Sequence, residues 1–155
     1  MQNLAETISA RMLPRVARPS QYIGCETNAR CKDVAAAEVS VVLAFPDAYS
    51  VGISHLGSQI LYALANDIDY AACDRTYCPL PDAEAVMRAE GIPLFGWESR
   101  LPVGGFDMLG FSLAHEGCAS NLLTMLDLSG VPLAASERRE GHPLVVVGGS
   151  AADAP

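Results

Sequence analysis

The chain has 155 residues, half of them hydrophobic, which suits one domain with a buried core. Its 10 Lys and Arg against 18 Asp and Glu give a formal net charge of -8, and so exclude the clustered positive charge that phosphate neutralisation on nucleic acid needs. No apolar run approaches the roughly 20 residues that span a bilayer, and no apolar signal core opens the chain, so the expectation is a cytoplasmic protein, off the membrane, with five reduced cysteines.

Residues 1–38 read as an N-terminal arm. Pro14, Pro19 and Gly24 interrupt any long periodic pattern, which predicts a short helix and then irregular chain anchored by Tyr22 and Ile23. Arg11, Arg15 and Arg18 form the only basic concentration and read as a solvated face. The regular domain is expected over 39–155. Val39 to Phe45 is an apolar, β-branched run, which predicts a strand buried on both faces and ended by Pro46. Ser54 is placed to cap a helix carrying Leu56, Ile60, Leu61 and Leu64 at helical spacing. Ile68 to Cys73 is a second candidate strand. Pro81 and Asp82 open a second helix, with Ala85, Val86 and Ala89 on one face and Gly91 at its C-terminal stop.

Further on, Pro93 to Trp97 predicts a short strand and Met108 to Leu113 a clearer one. Ser120 or Asn121 starts a helix through Leu122, Leu123, Met125, Leu126 and Leu128, which Gly130 stops. Leu144 to Val147 is a last apolar strand before Gly148 and Gly149. Alternation of this kind predicts right-handed crossovers and a doubly wound parallel sheet in a three-layer α/β/α stack. The sequence given stops six residues after Gly149. The expectation is a sheet truncated after its fourth main strand, through either a fragment or an open edge.

Ligands of open parallel sheets bind beyond the carboxyl ends of the strands. Three such ends are distinctive here: Asp47 to Gly57, Ser112 to Glu116, and Gly148-Gly149-Ser150. Glycine at 52, 57, 148 and 149 permits close approach to the backbone, and the N–H groups at the head of the 54–65 helix suit an anionic group. No Gly-x-Gly-x-x-Gly and no Walker lysine is present, so dinucleotide and P-loop readings have no support. Cys25 and Cys31 are too far apart for a Cys-x-x-Cys site, and Cys73 and Cys78 straddle a turn as free thiols. His142 precedes Pro143 in a turn. Trp97 and Glu98 suit packing or a domain contact. His115 and Glu116 suit either a ligand contact or a solvated loop. Ser112 lacks the His–Asp partners of a nucleophile.

Cobalamin-binding domains carry Asp-x-His-x-x-Gly after the first strand, then Ser-x-Leu, then Gly-Gly. This chain reads Asp47-x-Tyr49-x-x-Gly52, Ser112-Leu113-Ala114 and Gly148-Gly149. Tyr49 stands where the cobalt-ligating His would be, and a neutral phenol is a poor cobalt ligand. A closer resemblance covers nearly the whole chain. It is carried by Tyr22-Ile23-Gly24, by Leu43-Ala44-Phe45-Pro46-Asp47-Ala48-Tyr49-Ser50-Val51-Gly52-Ile53-Ser54-His55-Leu56-Gly57, and by Pro93-Leu94-Phe95. Gly110-Phe111-Ser112-Leu113, Asn121-Leu122-Leu123, Met125-Leu126-Asp127-Leu128 and Val147-Gly148-Gly149 complete it.

These residues resemble the N-terminal region of cobalamin-binding-type radical S-adenosylmethionine proteins. The resemblance implies a flavodoxin-like domain with strand order 2-1-3-4 ahead of a radical barrel that holds S-adenosylmethionine and a [4Fe–4S] cluster through Cys-x-x-x-Cys-x-x-Cys. None of the cysteines at 25, 31, 73, 78 and 118 makes that triplet. The radical chemistry is therefore expected in a barrel domain in cis or in trans, with no catalytic residue in this chain. The expected corrinoid contacts are Asp47, Tyr49, Gly52, Ser54, His55, Gly57, Ser112, Leu113, Gly148 and Gly149. The rival expectation is a degenerate, non-binding domain that keeps the fold as a structural or partner-contacting module.

Overall fold

The computed structural model describes residues 2–152, so the end of the 39–155 domain lies outside the described residues. Four strands, β1 (Val39–Phe45), β2 (Ala71–Tyr77), β3 (Met108–Ser112) and β4 (Leu144–Gly148), form one all-parallel sheet in the order β2-β1-β3-β4. The chain is thus an α/β fold of the flavodoxin-like, doubly wound kind. The N-terminal arm begins with one turn, α1 (Ala5–Thr7), which runs on as a π-helix over Ile8–Met12 and a 3-10 turn over Leu13–Arg15. Ile8, Met12 and Tyr22 bring this arm into the core, whereas Ile23 is exposed.

After β1 comes a one-turn helix, α2 (Tyr49–Gly52), and then α3 (Leu56–Asn66). The cap of α3 is His55, whose ring accepts the Ser58 N–H at 3.1 Å. Ser54, the expected cap, instead closes the preceding turn by donating to Val51 O at 3.1 Å. β2 begins three residues later than expected and runs on through Asp74, Arg75 and Thr76, all buried. Their polarity disguised a strand whose charges are neutralised internally. α4 (Pro81–Glu90) ends at Gly91 in the left-handed region, φ 64°. Its buried face is Ala83, Val86 and Met87, and Ala85 and Ala89 point outward.

Pro93 to Trp97 does not form the expected strand. A single antiparallel bridge joins Phe95 to Pro102, and the segment is held instead by Trp97 N donating to Arg75 O and Val103 N donating to Leu94 O. α5 (Ala119–Leu128) buries Met125, Leu126 and Leu128 but leaves Leu123 exposed.

The sheet is covered unevenly. In β1 and β3 the burial alternates: Val42, Ala44, Leu109 and Phe111 face the core, while Leu43, Met108, Gly110 and Ser112 are only half-buried. The expected burial of β1 on both faces is therefore not met along its whole length. The reason lies in α3, which packs mainly toward β2. Its inward side carries Tyr62 and Asn66, and Asn66 pairs with the backbone of Cys73 through both side-chain atoms, at 2.9 and 3.0 Å. The apolar stripe of α3 consequently faces outward, with Leu56 67%, Ile60 49%, Leu61 50% and Leu64 59% exposed. No helix among the described residues is long and apolar enough to cross a membrane.

Candidate functional site

Where α3 stops covering the sheet, a groove of about 430 Å³ lies over the face of β1, β3 and β4 and reaches their carboxyl ends. His55, Gly57, Ser112, Leu113, Gly148 and Gly149 line it together, so six of the expected contacts converge on one place. Ala114 and Ser150 join them from the strand ends singled out in the sequence, and the rest of the lining was not foreseen: Leu43, Leu61, Met108, Gly110, Phe111 and Val146. Strand geometry could have found part of it. Side chains two apart share a face, so counting back from Ser112 gives Gly110 and Met108, and from Gly148 gives Val146.

The loops after β3 and β4 are zipped together at the groove mouth. Leu113 N donates to Gly148 O at 2.7 Å, Ala151 N to Leu113 O at 3.2 Å, and Ser150 Oγ to Ala114 O at 2.7 Å. Gly149, at φ 114°, is required by this closure, since a Cβ there would lie 2.4 Å from Leu113 O. Gly148 differs: a Cβ there would meet nothing within 4 Å.

One polar cluster interrupts the apolar lining. Ser58 Oγ lies 2.9 Å from His55 Nδ1 and donates to Ser112 Oγ at 3.3 Å. Because Nδ1 accepts the Ser58 N–H, the neutral ring carries its proton on Nε2. His55 thus serves as helix cap and hydrogen-bond donor. The Ser58 N–H is taken by the ring and is no longer free for an anion.

Asp47, Tyr49, Gly52 and Ser54 lie away from the groove. Asp47 Oδ1 accepts the Ala48 N–H at 2.7 Å, and Asp47 borders a separate cleft with Cys78 and Asn121. The Tyr49 hydroxyl donates to Glu26 at 2.6 Å and its ring stacks near Trp97, so it does not block the groove. Burial, with Glu26 beside it, pushes the Tyr49 phenol up to about 12. Gly52 is glycine for packing: a Cβ would sit 2.6 Å from the Tyr77 ring and 2.9 Å from Phe45.

Trp97 is fully buried and donates from Nε1 to Gln21 O at 2.8 Å, which fixes the arm to the 93–106 segment. Beneath it, Glu98 bonds Arg75 at 2.9 and 2.5 Å, while the Asp74 carboxylate accepts N–H groups from Arg75, Glu98 and Ser99. Glu98 and Trp97 are thus packing and clasp residues. His142 sits in a turn, its Nδ1 accepting the Arg139 N–H at 3.0 Å. All five cysteines are free thiols.

The fold and the groove define an α/β domain with a parallel sheet and an open, glycine-lined cleft that reaches the strand ends, the place where open sheets of this class hold ligands. A family model described as "Radical SAM proteins, N-terminal" matches residues 57–155, well over half of the chain, and the protein belongs to that family. No curated protein and no solved structure matches the chain significantly.

Proposed function

We propose that the chain is the N-terminal cofactor module of a radical S-adenosylmethionine enzyme of the reducing cytoplasm, and that it holds a cobalamin-type corrinoid by its nucleotide tail. The catalytic [4Fe–4S] cluster and S-adenosylmethionine belong in this reading to a barrel domain in cis or in trans. The observation that carries it is the openness of the groove. A degenerate domain would fill the space with side chains, whereas Gly57, Gly110, Ser112, Ala114, Gly148 and Gly149 leave it clear.

The residues present fit the tail rather than the ring. The volume lies within the roughly 300–1,000 Å³ of small-ligand sites, and a Cβ at Gly148 would occupy it without touching anything else. Among the described residues, Tyr49 and His55 Nδ1 are not available as lower-face cobalt ligands, because Tyr49 is committed to Glu26 and His55 Nδ1 to the head of α3. A bound corrinoid supplies methyl-transfer or one-electron chemistry at cobalt. The task of this chain is to bind and orient it, with Ser112 and His55 as polar contacts and Asp47, Tyr49, Gly52 and Ser54 shaping the turn after β1.

The test is titration with hydroxocobalamin, followed by gel filtration and the visible spectrum. Co-elution with a base-off spectrum lacking imidazole ligation is expected. Gly148→Val should abolish co-elution while leaving circular dichroism and the urea midpoint unchanged. Absence of corrinoid binding by the chain, alone and joined to its barrel, would overturn the reading in favour of a structural or partner-contacting module.

A further inference from the structure

Beyond the ends of β1 and β3, Asp47, His115 and Cys118 converge, with one donor atom from each lying within 4.8 Å of the others. We propose that these three side chains bind a divalent transition-metal ion of the Zn²⁺ type. Cys118 Sγ is 3.2 Å from His115 Nε2, and among the described residues the imidazole of His115 meets no partner except Cys118. Bonds of about 2.0–2.3 Å in a tetrahedral zinc site place donors roughly 3.5 Å apart. A small rotation of the exposed His115 ring closes the remaining gap.

The backbone fixes where each donor stands. Asp47 is pinned by its N–H to Phe45 O, by its carbonyl accepting Cys78 N, and by Oδ1 accepting Ala48 N, which leaves the second carboxylate oxygen uncommitted. Cys118 is buried at the N-cap of α5, so the head of the helix fixes where its sulfur stands. Asn121, one turn on, donates to Pro46 O at 3.0 Å and ties the head of α5 to the residue before Asp47. Gly117 makes room for the ring, since a Cβ there would lie 3.0 Å from His115 Nδ1.

One sulfur, one nitrogen and one oxygen suit a borderline metal rather than Mg²⁺ or Ca²⁺, which take oxygen. Three protein donors leave a fourth position for water or an exogenous ligand, the arrangement of a reactive site rather than a closed structural one. This site is independent of the corrinoid reading, as the groove shares none of the three residues.

The probe is Co²⁺, titrated anaerobically into the reduced full chain and then displaced by Zn²⁺. One equivalent should bind with a near-ultraviolet thiolate-to-cobalt band. Cys118→Ser should remove that band. His115→Ala and Asp47→Asn should each weaken binding by about 10-fold or more; His115, being exposed, can be changed without disturbing the fold. The Cys25→Ser/Cys31→Ser double variant should keep the band. Absence of stoichiometric uptake, a band that survives Cys118→Ser, or a band that vanishes only with Cys25 and Cys31 would each overturn the proposal.

Discussion

Glu98 shows how far a single buried group can set the behaviour of its surroundings. Its side chain is paired with the Arg75 guanidinium in a buried setting, and the Asp74 carboxylate lies beside it, held by the backbone N–H groups of Arg75, Glu98 and Ser99. Burial first, and Asp74 second, push the Glu98 carboxyl up to about 9 against the pull of Arg75. The folded chain therefore holds this proton more tightly than the unfolded chain, whose glutamate titrates in the ordinary range. The associated stability is full below that range and is lost as pH rises toward 9. Urea midpoints at pH 5 and pH 8.5 should fall for the parent chain by more than for Glu98→Gln, which cannot lose the proton; parallel falls would show Glu98 to be ionised throughout. The sequence shows Glu98 as one of 18 acidic residues. Its partner Arg75 lies 23 positions away, and nothing in spacing or composition reveals such a pairing. The same holds for Asp47, His115 and Cys118, which meet only because β1 and β3 are neighbours.

At the scale of the element, α3 separates what periodicity tells from what it leaves open. The spacing of Leu56, Ile60, Leu61 and Leu64 gave the helix correctly, but such a stripe, which in most helices faces the core, here faces outward. Polar Tyr62 and Asn66 hold the inward side because they satisfy backbone groups: Tyr62 accepts the Arg30 N–H and Asn66 bridges to Cys73. Asn66→Ala should cost about 1–3 kcal/mol, since it strands a buried N–H and carbonyl. Leu56→Glu and Leu64→Glu should each stay within about 0.5 kcal/mol, as exposed substitutions do. Chemical denaturation measures all three, and a large loss at Leu56 or Leu64 would mean that the stripe is covered in solution. β2 was misplaced for a related reason, because Asp74-Arg75-Thr76 has the composition of a loop and becomes strand only through partners distant in sequence. β1, β3 and β4 were legible because their apolar runs need no such partners.

For the whole molecule, the parallel sheet followed from alternation and connection rules, and its strand order from the likeness to flavodoxin-like domains. The open face over β3 and β4 did not follow from them, because coverage depends on where α3 lands. The distribution of thiols gives a global test of the fold. Cys25 and Cys31 are exposed, and Cys73, Cys78 and Cys118 are buried, with burial pushing Cys73 up to about 12 and Cys78 up to about 11. Mild alkylation at pH 8 should label two sites quickly and the other three only on unfolding, as peptide mass mapping would show; fast labelling at Cys73 would contradict the packing of β2. The clasp described at Trp97 has an optical consequence. It is the sole tryptophan, fully buried among Tyr22, Tyr49, Tyr77 and Phe95. Its fluorescence emission should be blue-shifted in the native chain and move to the red if the arm detaches, even while the far-ultraviolet signal of the sheet persists. The chain thus carries an intrinsic reporter that times the closing of its N-terminal segment separately from the assembly of its strands.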